Sequence, residues 1–280
     1  MADTVAQAIR EAADTLGEAS ITPRSDAEHL MAHALDVERS DMLLRHMAKT
    51  PPAAFAELVR RRTAHEPMAY ILGSQDFYGR SFRVTREVLI PRGDSEVLVE
   101  RALAAMPGAR NVLDCGTGSG CLLFSCLLEL PGATGVGIDV SQAALDVAGG
   151  NARHLGLTRG QARFCLADWT MPGWADGLGG PFDLILANPP YIEADAPLEP
   201  SVRDHEPHGA LFAGPDGLDQ YRVLVPQLPG LLAPQGRAFV EIGAAQAEAV
   251  MALAGAAGLA ALLHYDLGGR PRVVEMMQQR

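Results

Sequence analysis

The sequence has little positive charge. Its 23 lysine and arginine residues face 34 aspartate and glutamate residues, so the formal net charge is −11 at pH 7. A protein that holds nucleic acid or an anionic membrane surface through charge is normally basic, because it must neutralise phosphate groups. The charge balance therefore argues against direct nucleic-acid binding and against membrane binding.

Cysteine is also scarce, and no apolar run approaches the length that spans a bilayer. The four cysteines, Cys115, Cys121, Cys126 and Cys165, lack the C-x-x-C spacing of zinc and redox sites. We expect reduced thiols that pack inside the protein. Residues 1–4 carry no basic segment followed by an apolar core, so no secretory signal is predicted. The sequence thus predicts a soluble, cytoplasmic protein.

Residues 1–74 are predicted to form a small all-α bundle. Ser25 and Thr50 are predicted helix N-caps, because Glu28 completes a capping box and Pro51 suits a first helical turn. No cluster of titratable side chains marks a catalytic centre, so we expect a structural or substrate-docking domain. Apolar residues recur on one face of the first helix, at Val5, Ile9, Ala12, Ala13 and Leu16.

The rest of the sequence changes its hydrophobic period. Residues 75–92 place apolar residues among polar ones and glycine, which predicts a β-hairpin that links two domains. In residues 93–280 apolar strands alternate with helical segments, which predicts an α/β fold with a doubly wound, mostly parallel sheet. Residues 262–267 and 272–277, joined by a glycine-rich turn, predict an antiparallel hairpin at the C-terminus.

A glycine-rich loop follows the first predicted strand of this sheet, at residues 112–114. Glycines let a backbone turn tightly and approach a ligand closely. The spacing is G-x-G-x-G and differs from the dinucleotide-binding G-x-G-x-x-G, because Cys121 occupies the place of the third glycine. The loop is therefore a candidate cofactor site, and its residues are Gly116, Thr117, Gly118, Ser119 and Gly120.

Further candidate cofactor residues end the next two predicted strands. Asp139 lies about twenty residues after the glycine loop, where an acid that accepts hydrogen bonds from ribose hydroxyls is expected. Asp168 and Trp169 end the third strand and would place an acceptor and a flat ring near an adenine. The alternative for Trp169, ordinary packing, is equally compatible with the sequence.

The most specific motif, Asn188-Pro189-Pro190-Tyr191, ends the fourth predicted strand. Proline has no backbone N–H, so the carbonyl oxygens of Asn188 and Pro189 are not recruited into a helix or a sheet ladder. These oxygens and the Asn188 side-chain oxygen can accept hydrogens from a planar –NH₂ group, while the Tyr191 ring lies against it. When both hydrogens of the –NH₂ group are hydrogen-bonded in this way, the nitrogen lone pair can localise and point at an electrophile. The motif predicts an amide or base amine as acceptor, with Asn188, Pro189 and Tyr191 catalytic and all four residues binding substrate.

Parallel strands place their carboxyl ends at one edge of a sheet, so these candidate residues are expected to share one rim. The arrangement resembles class I S-adenosylmethionine-dependent methyltransferases. A narrower resemblance, over nearly the whole chain, is to the release-factor glutamine methyltransferases (PrmC/HemK). The matching stretches are residues 70–73, 77–79, 88–92, 113–120, 188–192, 206–207, 210–211, 214–218 and 241–243.

The resemblance implies a Rossmann-like class I methyltransferase domain at residues 93–280, preceded by a helical domain that docks the substrate. It implies S-adenosyl-L-methionine as cofactor, S-adenosyl-L-homocysteine as product, and no metal ion. The implied substrate is the side-chain amide nitrogen (N5) of the glutamine in the Gly-Gly-Gln motif of class-1 peptide-chain release factors, whose methylation tunes translation termination. The implied cofactor-binding residues are Gly116, Thr117, Gly118, Ser119, Gly120, Asp139, Trp169 and Asn188.

One stretch departs from the family pattern. The family usually follows Pro-Arg with Pro, an acid, Thr and Glu, whereas this chain has Gly93-Asp94-Ser95-Glu96. The acids stay in place, and Gly93 loosens a turn that proline would stiffen. The expected chemistry is an in-line methyl transfer in which Asn188 Oδ1 and the Pro189 carbonyl take the two amide hydrogens.

Other functions fit parts of the sequence. A glutamine on a large-subunit ribosomal protein would keep the chemistry, and an amino group of adenine or guanine would change the acceptor to nucleic acid. A nicotinamide-dependent oxidoreductase lacks support because the third glycine is missing, and a non-catalytic binding protein would not need the intact Asn188 motif. His205 and His208 suggest a metal site, but their spacing lacks the i, i+4 geometry of helical zinc motifs.

Overall fold

The computed structural model describes residues 3–279, which divide into two units. One unit comprises residues up to Ser74 together with Leu198–His205, and the other comprises Gln75–Pro197 and the residues from Glu206 onward.

The helices are α1 Val5–Thr15, α2 Pro23–Leu35, α3 Arg39–Arg45, α4 Ala54–Thr63, α5 Met68–Leu72, α6 Glu96–Ala105, α7 Cys121–Glu129, α8 Gln142–His154, α9 Pro200–Arg203, α10 Asp219–Leu224, α11 Leu228–Leu231 and α12 Ala247–Ala256. The strands are β1 Ser74–Phe77, β2 Arg80–Arg83, β3 Asn111–Cys115, β4 Thr134–Asp139, β5 Ala162–Leu166, β6 Phe182–Ala187, β7 Leu232–Glu241, β8 Leu259–Tyr265 and β9 Pro271–Gln278.

The first unit is helical, with α1 to α5 and α9. Its core is apolar and includes Ile9, Leu16, Leu30, Met31 and Phe55. Two buried acids are held by arginines. Asp26 accepts a hydrogen bond from Arg62 Nε at 2.8 Å, and Glu28 accepts one from Arg24 Nε at 2.6 Å. The amphipathic pattern of the sequence therefore produces helices whose shared face excludes water.

Two predicted helix starts are wrong. Helix α2 begins at Pro23 with Thr22 as its N-cap, so Ser25 lies inside the helix. Proline suits the first helical position, and it starts the helix earlier than the capping box predicts. Helix α4 begins at Ala54, three residues after Pro51. A second proline follows Pro51, and a residue before a proline is held out of the helical region, which delays this helix.

The second unit contains a seven-stranded sheet in the order β5-β4-β3-β6-β7-β9-β8. Strands β3, β4, β5, β6 and β7 pair in parallel, while β9 pairs antiparallel with both β7 and β8. The doubly wound sheet and its C-terminal hairpin are thereby confirmed. Strands β1 and β2 form a separate hairpin, closed by Tyr78 and Gly79 at positive φ, 49° and 70°. Residues 84–92 of the predicted linker hairpin lie outside these two strands.

Both faces of the large sheet are covered. Because successive strand residues point to opposite faces, neighbouring positions enter different cores. The core on one face includes Val112, Leu184, Leu186 and Phe239 with Leu123 and Phe124 of α7. The core on the other face includes Leu113, Ile185, Ala187 and Val240 with Tyr221 and Leu224 of α10. This double burial explains the continuous apolar runs of β3 and β6.

The order of the strands reverses direction between β3 and β6. Strands β4 and β5 extend the sheet to one side of β3, and β6 and β7 extend it to the other. A crevice opens outside the carboxyl ends of the strands at such a switch point, and ligands of open α/β sheets bind there. Among residues 3–279, no helix is both long and apolar enough to cross a membrane.

Candidate active site

A cavity of about 440 Å³ lies at this crevice. Cys115 of β3 pairs with Ala187 of β6, so Gly116 and Asn188 leave neighbouring strands at the same level. Cys115 also pairs with Ile138 of β4, which brings Asp139 to the same edge. The cavity is lined by residues 116–119, Cys121, Asp139, Asp168, Trp169, Asn188 and Pro190, and also by residues of the segments 87–95 and 207–220.

The glycine loop needs its glycines for both conformation and space. Gly116, Gly118 and Gly120 have positive φ angles of 77°, 52° and 83°, a region that other residues seldom adopt. A Cβ atom on Gly116 would lie 3.4 Å from the Trp169 ring, and one on Gly120 would lie 2.2 Å from the Phe124 ring. Gly120 is outside the cavity lining, so its place is where the loop enters α7.

A buried acid lies beneath the glycine loop. Asp114 is fully buried, and its Oδ2 accepts a hydrogen bond from Thr117 Oγ1 at 2.7 Å. Burial raises the pKa of the Asp114 carboxyl to about 7, and the Thr117 hydrogen bond opposes this rise. The sequence did not single out Asp114, although a lone acid at the end of an apolar strand was the available signal.

Asp139 is oriented by two backbone N–H groups. Its Oδ2 accepts from the Gly118 nitrogen at 3.0 Å, and its Oδ1 accepts from the Ser141 nitrogen at 2.9 Å. The first bond ties the acid to the glycine loop. The carboxylate lines the cavity, and its remaining lone pairs are free to accept from hydroxyl groups of a ligand.

Trp169 lines the cavity next to Gly116 of the glycine loop and is 7% exposed. Its Nε1 donates to Gln220 Oε1 at 2.8 Å, and its carbonyl oxygen accepts from Gln227 Nε2 at 3.0 Å. Asp168 accepts from the backbone nitrogen and the hydroxyl of Thr170, at 2.8 and 2.7 Å. One hydrogen bond therefore fixes the indole and another the Trp169 backbone, and the flat ring borders the cavity beside Gly116.

The Asn188–Tyr191 motif is divided between the cavity and the protein interior. Asn188 and Pro190 line the cavity, whereas Pro189 and Tyr191 are not part of the lining. Within the described residues, the Asn188 side chain has no protein hydrogen-bond partner. The Tyr191 ring packs against the core that contains Tyr221, and its hydroxyl lies 3.5 Å from Glu241 Oε1. Burial raises the pKa of the Tyr191 hydroxyl to about 12, so this phenol stays protonated.

Glu241 lies behind this corner at the end of β7. It is 1% exposed, and burial raises the pKa of its carboxyl to about 7, while Ser95 and the Arg272 guanidinium oppose the rise. Arg272 is in turn paired with Asp94 at 2.9 Å. The sequence assigned no role to Glu241, because its partners come from distant parts of the chain.

Glu206 joins two segments that line the cavity. Its carboxylate accepts from the Ile90 nitrogen at 3.2 Å and from Arg92 Nη2. The Glu206 side chain is 1% exposed, whereas Arg92 is 38% exposed, so the carboxylate is buried and the guanidinium still reaches water. The segment that contains Leu89 and Arg92 and the segment that contains Pro207 are thereby fastened together.

The histidines of the suspected metal site do not converge. Within residues 3–279, no group of three or more His, Cys, Asp or Glu side chains is placed to hold a metal ion. His205 contacts the Ala64 carbonyl oxygen through Nε2 at 3.0 Å, and the His208 ring packs edge-on against Phe212. All four cysteines are free thiols, and burial raises the pKa of the Cys121 thiol at the cavity to about 12.

The fold and the crevice are those of a methyltransferase. Residues 108–248 match the methyltransferase domain family, and residues 7–73 match the PrmC N-terminal domain family. The solved SAM-dependent methyltransferase from Agrobacterium tumefaciens is similar, with a TM-score of 0.51 and 16% identity, covering 74% of this chain and 70% of that chain. This likeness supports the fold alone.

Closer sequence relatives narrow the class. The release factor glutamine methyltransferase of Cereibacter sphaeroides is 44% identical over 276 residues, or 96% of each chain. That of Rhodospirillum rubrum is 43% identical over 257 residues, or 89% of this chain and 77% of the relative. The chain belongs to the release factor glutamine methyltransferase family, and the family predicted from the sequence is confirmed.

Proposed function

We propose that this chain transfers the methyl group of S-adenosyl-L-methionine to the side-chain amide nitrogen (N5) of the glutamine in the Gly-Gly-Gln motif of class-1 peptide-chain release factors. The observation that carries the proposal is the register of β3 and β6, which places Gly116 and Asn188 side by side. Adjacent parallel strands are about 5 Å apart, so a cofactor loop and an acceptor corner open into one cavity. The names of the relatives supply the particular substrate.

The residues present at the cavity fit S-adenosyl-L-methionine. Gly116 has a positive φ and lies beside the Trp169 ring, so the loop backbone and the flat ring border the cavity together. The Asp139 carboxylate, fixed by two N–H groups, suits a pair of ribose hydroxyls. The predicted cofactor-binding residues that line the cavity, and would hold the cofactor, are Gly116, Thr117, Gly118, Ser119, Asp139, Trp169 and Asn188, while Gly120 joins the loop to α7. When bound, the cofactor supplies an electrophilic methyl group on a positively charged sulfur and is released as S-adenosyl-L-homocysteine.

The corner after β6 activates the amide. Asn188 Oδ1 lines the cavity, has no protein partner among the described residues and accepts one amide hydrogen of the substrate. In this proposal the other hydrogen goes to the Pro189 carbonyl, although the buried Pro189 lies outside the cavity lining. Both hydrogen bonds strengthen as positive charge grows on the nitrogen, which favours the transition state over the bound ground state. The methylated amide then loses a proton readily, so the site needs no general base and no metal ion.

Tyr191 and the helical unit have supporting roles in this proposal. Tyr191 closes the corner from the interior side, where its ring is packed and its hydroxyl faces Glu241. The residues that line the cavity all belong to the second unit. Docking of the release factor is therefore assigned to the helical unit, residues 1–74, while part of the predicted linker 75–92 lines the cavity.

Labelled methyl transfer tests the proposal. The protein is incubated with methyl-labelled S-adenosyl-L-methionine and a purified class-1 release factor, either wild type or with the Gly-Gly-Gln glutamine replaced by alanine. Label on the wild-type factor alone is the expected result. Equal label on both factors, or label only on a ribosomal protein offered in parallel, would overturn the assigned substrate.

A further inference from the structure

One side chain joins three backbone segments at the acceptor side of the crevice. Gln246 is the residue before α12. Its Nε2 donates to the Tyr191 carbonyl at 2.9 Å and to the Gly217 carbonyl at 3.2 Å. Its Oε1 accepts from the Gly243 nitrogen at 3.0 Å. The Gln246 amide thus uses both donor hydrogens and one acceptor position on backbone groups.

Two glycines make room for this amide. A Cβ atom on Gly217 would lie 2.3 Å from the Tyr191 carbonyl oxygen and 2.6 Å from Gln246 Nε2. A Cβ atom on Gly243 would lie 2.9 Å from Gln246 Oε1. A larger residue at Gly217 would press on the Tyr191 backbone carbonyl, and one at Gly243 would displace the Gln246 side chain. The glycines and the glutamine therefore form one arrangement, in which close backbone approach and side-chain hydrogen bonding depend on each other.

The position of the Tyr191 carbonyl affects the backbone position of Asn188. Only Pro189 and Pro190 lie between the two residues, and a proline ring fixes φ near −65°. A shift of the Tyr191 carbonyl is therefore passed to Asn188 with little conformational slack. On the other side, Ile192 is held independently, since its nitrogen donates to Leu211 and its carbonyl accepts from Ala213.

We infer that Gln246 is a positioning residue for methyl transfer. Its hydrogen bond to the Tyr191 carbonyl fixes the backbone of residues 188–191, and so the position of Asn188 relative to the acceptor amide. The inference rests on the proposed function, which assigns this corner to the acceptor. Gln246 does not line the cavity, so it acts through the backbone of the corner and not through the substrate. It also ties the corner to the segment around Gly217 and to the end of β7.

The test uses Gln246→Glu in the full-length protein. The substitution keeps the size of the side chain and the oxygen that accepts from Gly243, but it removes both donor hydrogens. A carboxylate oxygen then faces the carbonyls of Tyr191 and Gly217. A carboxylate is favourable at a helix N-terminus, so α12 itself is not weakened. We expect kcat for release-factor methylation to fall roughly ten- to a hundredfold near neutral pH, since small misplacements near the reacting groups have effects of this size.

A pH series separates positioning from a merely structural role. Protonation of the new carboxyl restores one O–H donor for the Tyr191 carbonyl, so the ratio of the variant's kcat to the wild-type kcat should rise as the pH falls. Taking this ratio removes the titration of the charged groups around Tyr191 that both proteins share. These groups are Glu241, Arg272, Arg92 and Tyr221, with Asp94 beside Glu241.

Two further variants complete the test. Gln246→Met loses all three hydrogen bonds without gaining a titratable group, so its kcat should fall while its ratio to wild type stays flat with pH. Gln235→Glu makes the same charge change at an exposed position of β7 and should leave kcat unchanged. The KM for S-adenosyl-L-methionine should change less than about twofold in all three variants.

Three outcomes would overturn the inference: wild-type kcat in Gln246→Glu at every pH, a pH-independent loss in that variant, or a loss matched by weaker cofactor binding. Wild-type protein that labels no release factor would instead refute the proposed function, and that result is read from the parallel wild-type reaction. Should Gln246→Glu fail to fold, the same kcat and KM comparison on Gln246→Met decides the question.

Discussion

The two halves of the crevice are held in different ways. In the cofactor half, the glycine loop and Asp139 are held mostly by nearby residues: Thr117 bonds Asp114, three positions before it, and Asp139 bonds the nitrogen of Ser141, two positions after it. Trp169 is the exception, since it bonds Gln220, 51 positions after it. The acceptor half is made by distant residues, since Gln246 reaches Tyr191 across 55 positions and Glu241 reaches it across 50. The glycine loop is therefore a largely local motif, whereas the Trp169 side and the acceptor half form only once the sheet has assembled.

Each half has one fully buried acid behind it. Asp114 lies under the glycine loop and Glu241 behind the acceptor corner, and burial raises the pKa of both carboxyls to about 7. Asp114 is bonded by a hydroxyl of its own loop, whereas Glu241 has partners on the corner and on β9. The halves should therefore respond differently to substitution, which the following experiments measure.

The largest effect is expected for Asn188→Ala in the acceptor half. Losing a preorganised hydrogen-bond partner at the reacting centre lowers turnover by about a hundred- to a thousandfold. Single-turnover methyl transfer gives the rate, and calorimetry gives the affinity for S-adenosyl-L-methionine, which should fall much less. Asn188→Asp keeps an acceptor oxygen and should retain more activity than Asn188→Ala. Equal losses in turnover and cofactor affinity would mean that the two halves are not separable.

The buried acids predict how stability depends on pH. A carboxyl whose pKa is raised on folding keeps its proton in the folded state while the unfolded chain has lost it. Stability from Glu241 is therefore highest at acidic pH and falls as the pH rises to about 7, by an amount on the order of 3 kcal/mol. Urea unfolding at several pH values should show a shallower slope for Glu241→Gln than for wild type. Parallel slopes would show that Glu241 has an ordinary pKa.

In the cofactor half, Gly116→Ala should weaken cofactor binding without abolishing turnover. The new side chain must adopt a positive φ, which costs about 1–2 kcal/mol, and its Cβ lies 3.4 Å from the Trp169 ring. We expect the Kd for S-adenosyl-L-methionine to rise roughly tenfold, measured by calorimetry. The matched control is Gly93→Ala, where a Cβ meets no atom within 4 Å and φ is not positive. An unchanged Kd in Gly116→Ala would remove this glycine from the cofactor site.

The smallest effect is expected where the chain departs from the family pattern. Gly93 begins a short 3₁₀ helix, and Arg92 before it is extended, with φ −103° and ψ 138°. Both positions suit a proline at residue 93. Gly93→Pro should raise the free energy of unfolding by about 0.4–1 kcal/mol by restricting the unfolded chain, as measured by urea titration with kcat unchanged. A loss of stability would show that this turn needs the freedom of glycine.

The sequence predicted the parts of the molecule that depend on local rules. The glycine loop, the strand that ends in Asp139 and the strand that ends in Asn188 follow from hydrophobic period and turn residues, and the parallel sheet follows from their alternation. The same local rules misplaced two helix starts by three residues each, because Pro23 starts α2 earlier and the consecutive prolines after Thr50 delay α4. The sequence also predicted that the Tyr191 ring lies against the acceptor –NH₂ group; in the structure this partly buried ring packs against the core and does not line the cavity.

By itself, then, the sequence determined which residues end neighbouring strands and so which chemistry gathers at one edge. The tertiary structure decided what fixes that chemistry in place: the Glu206 contacts with Ile90 and Arg92, Glu241 behind Tyr191, and the Gln246 amide against Gly217 and Gly243. The physical reason is the sequence separation over which each interaction acts. Strand period and turn geometry act over a few residues, whereas a buried carboxylate or amide finds its partners only after distant segments have been brought together by burial of the core.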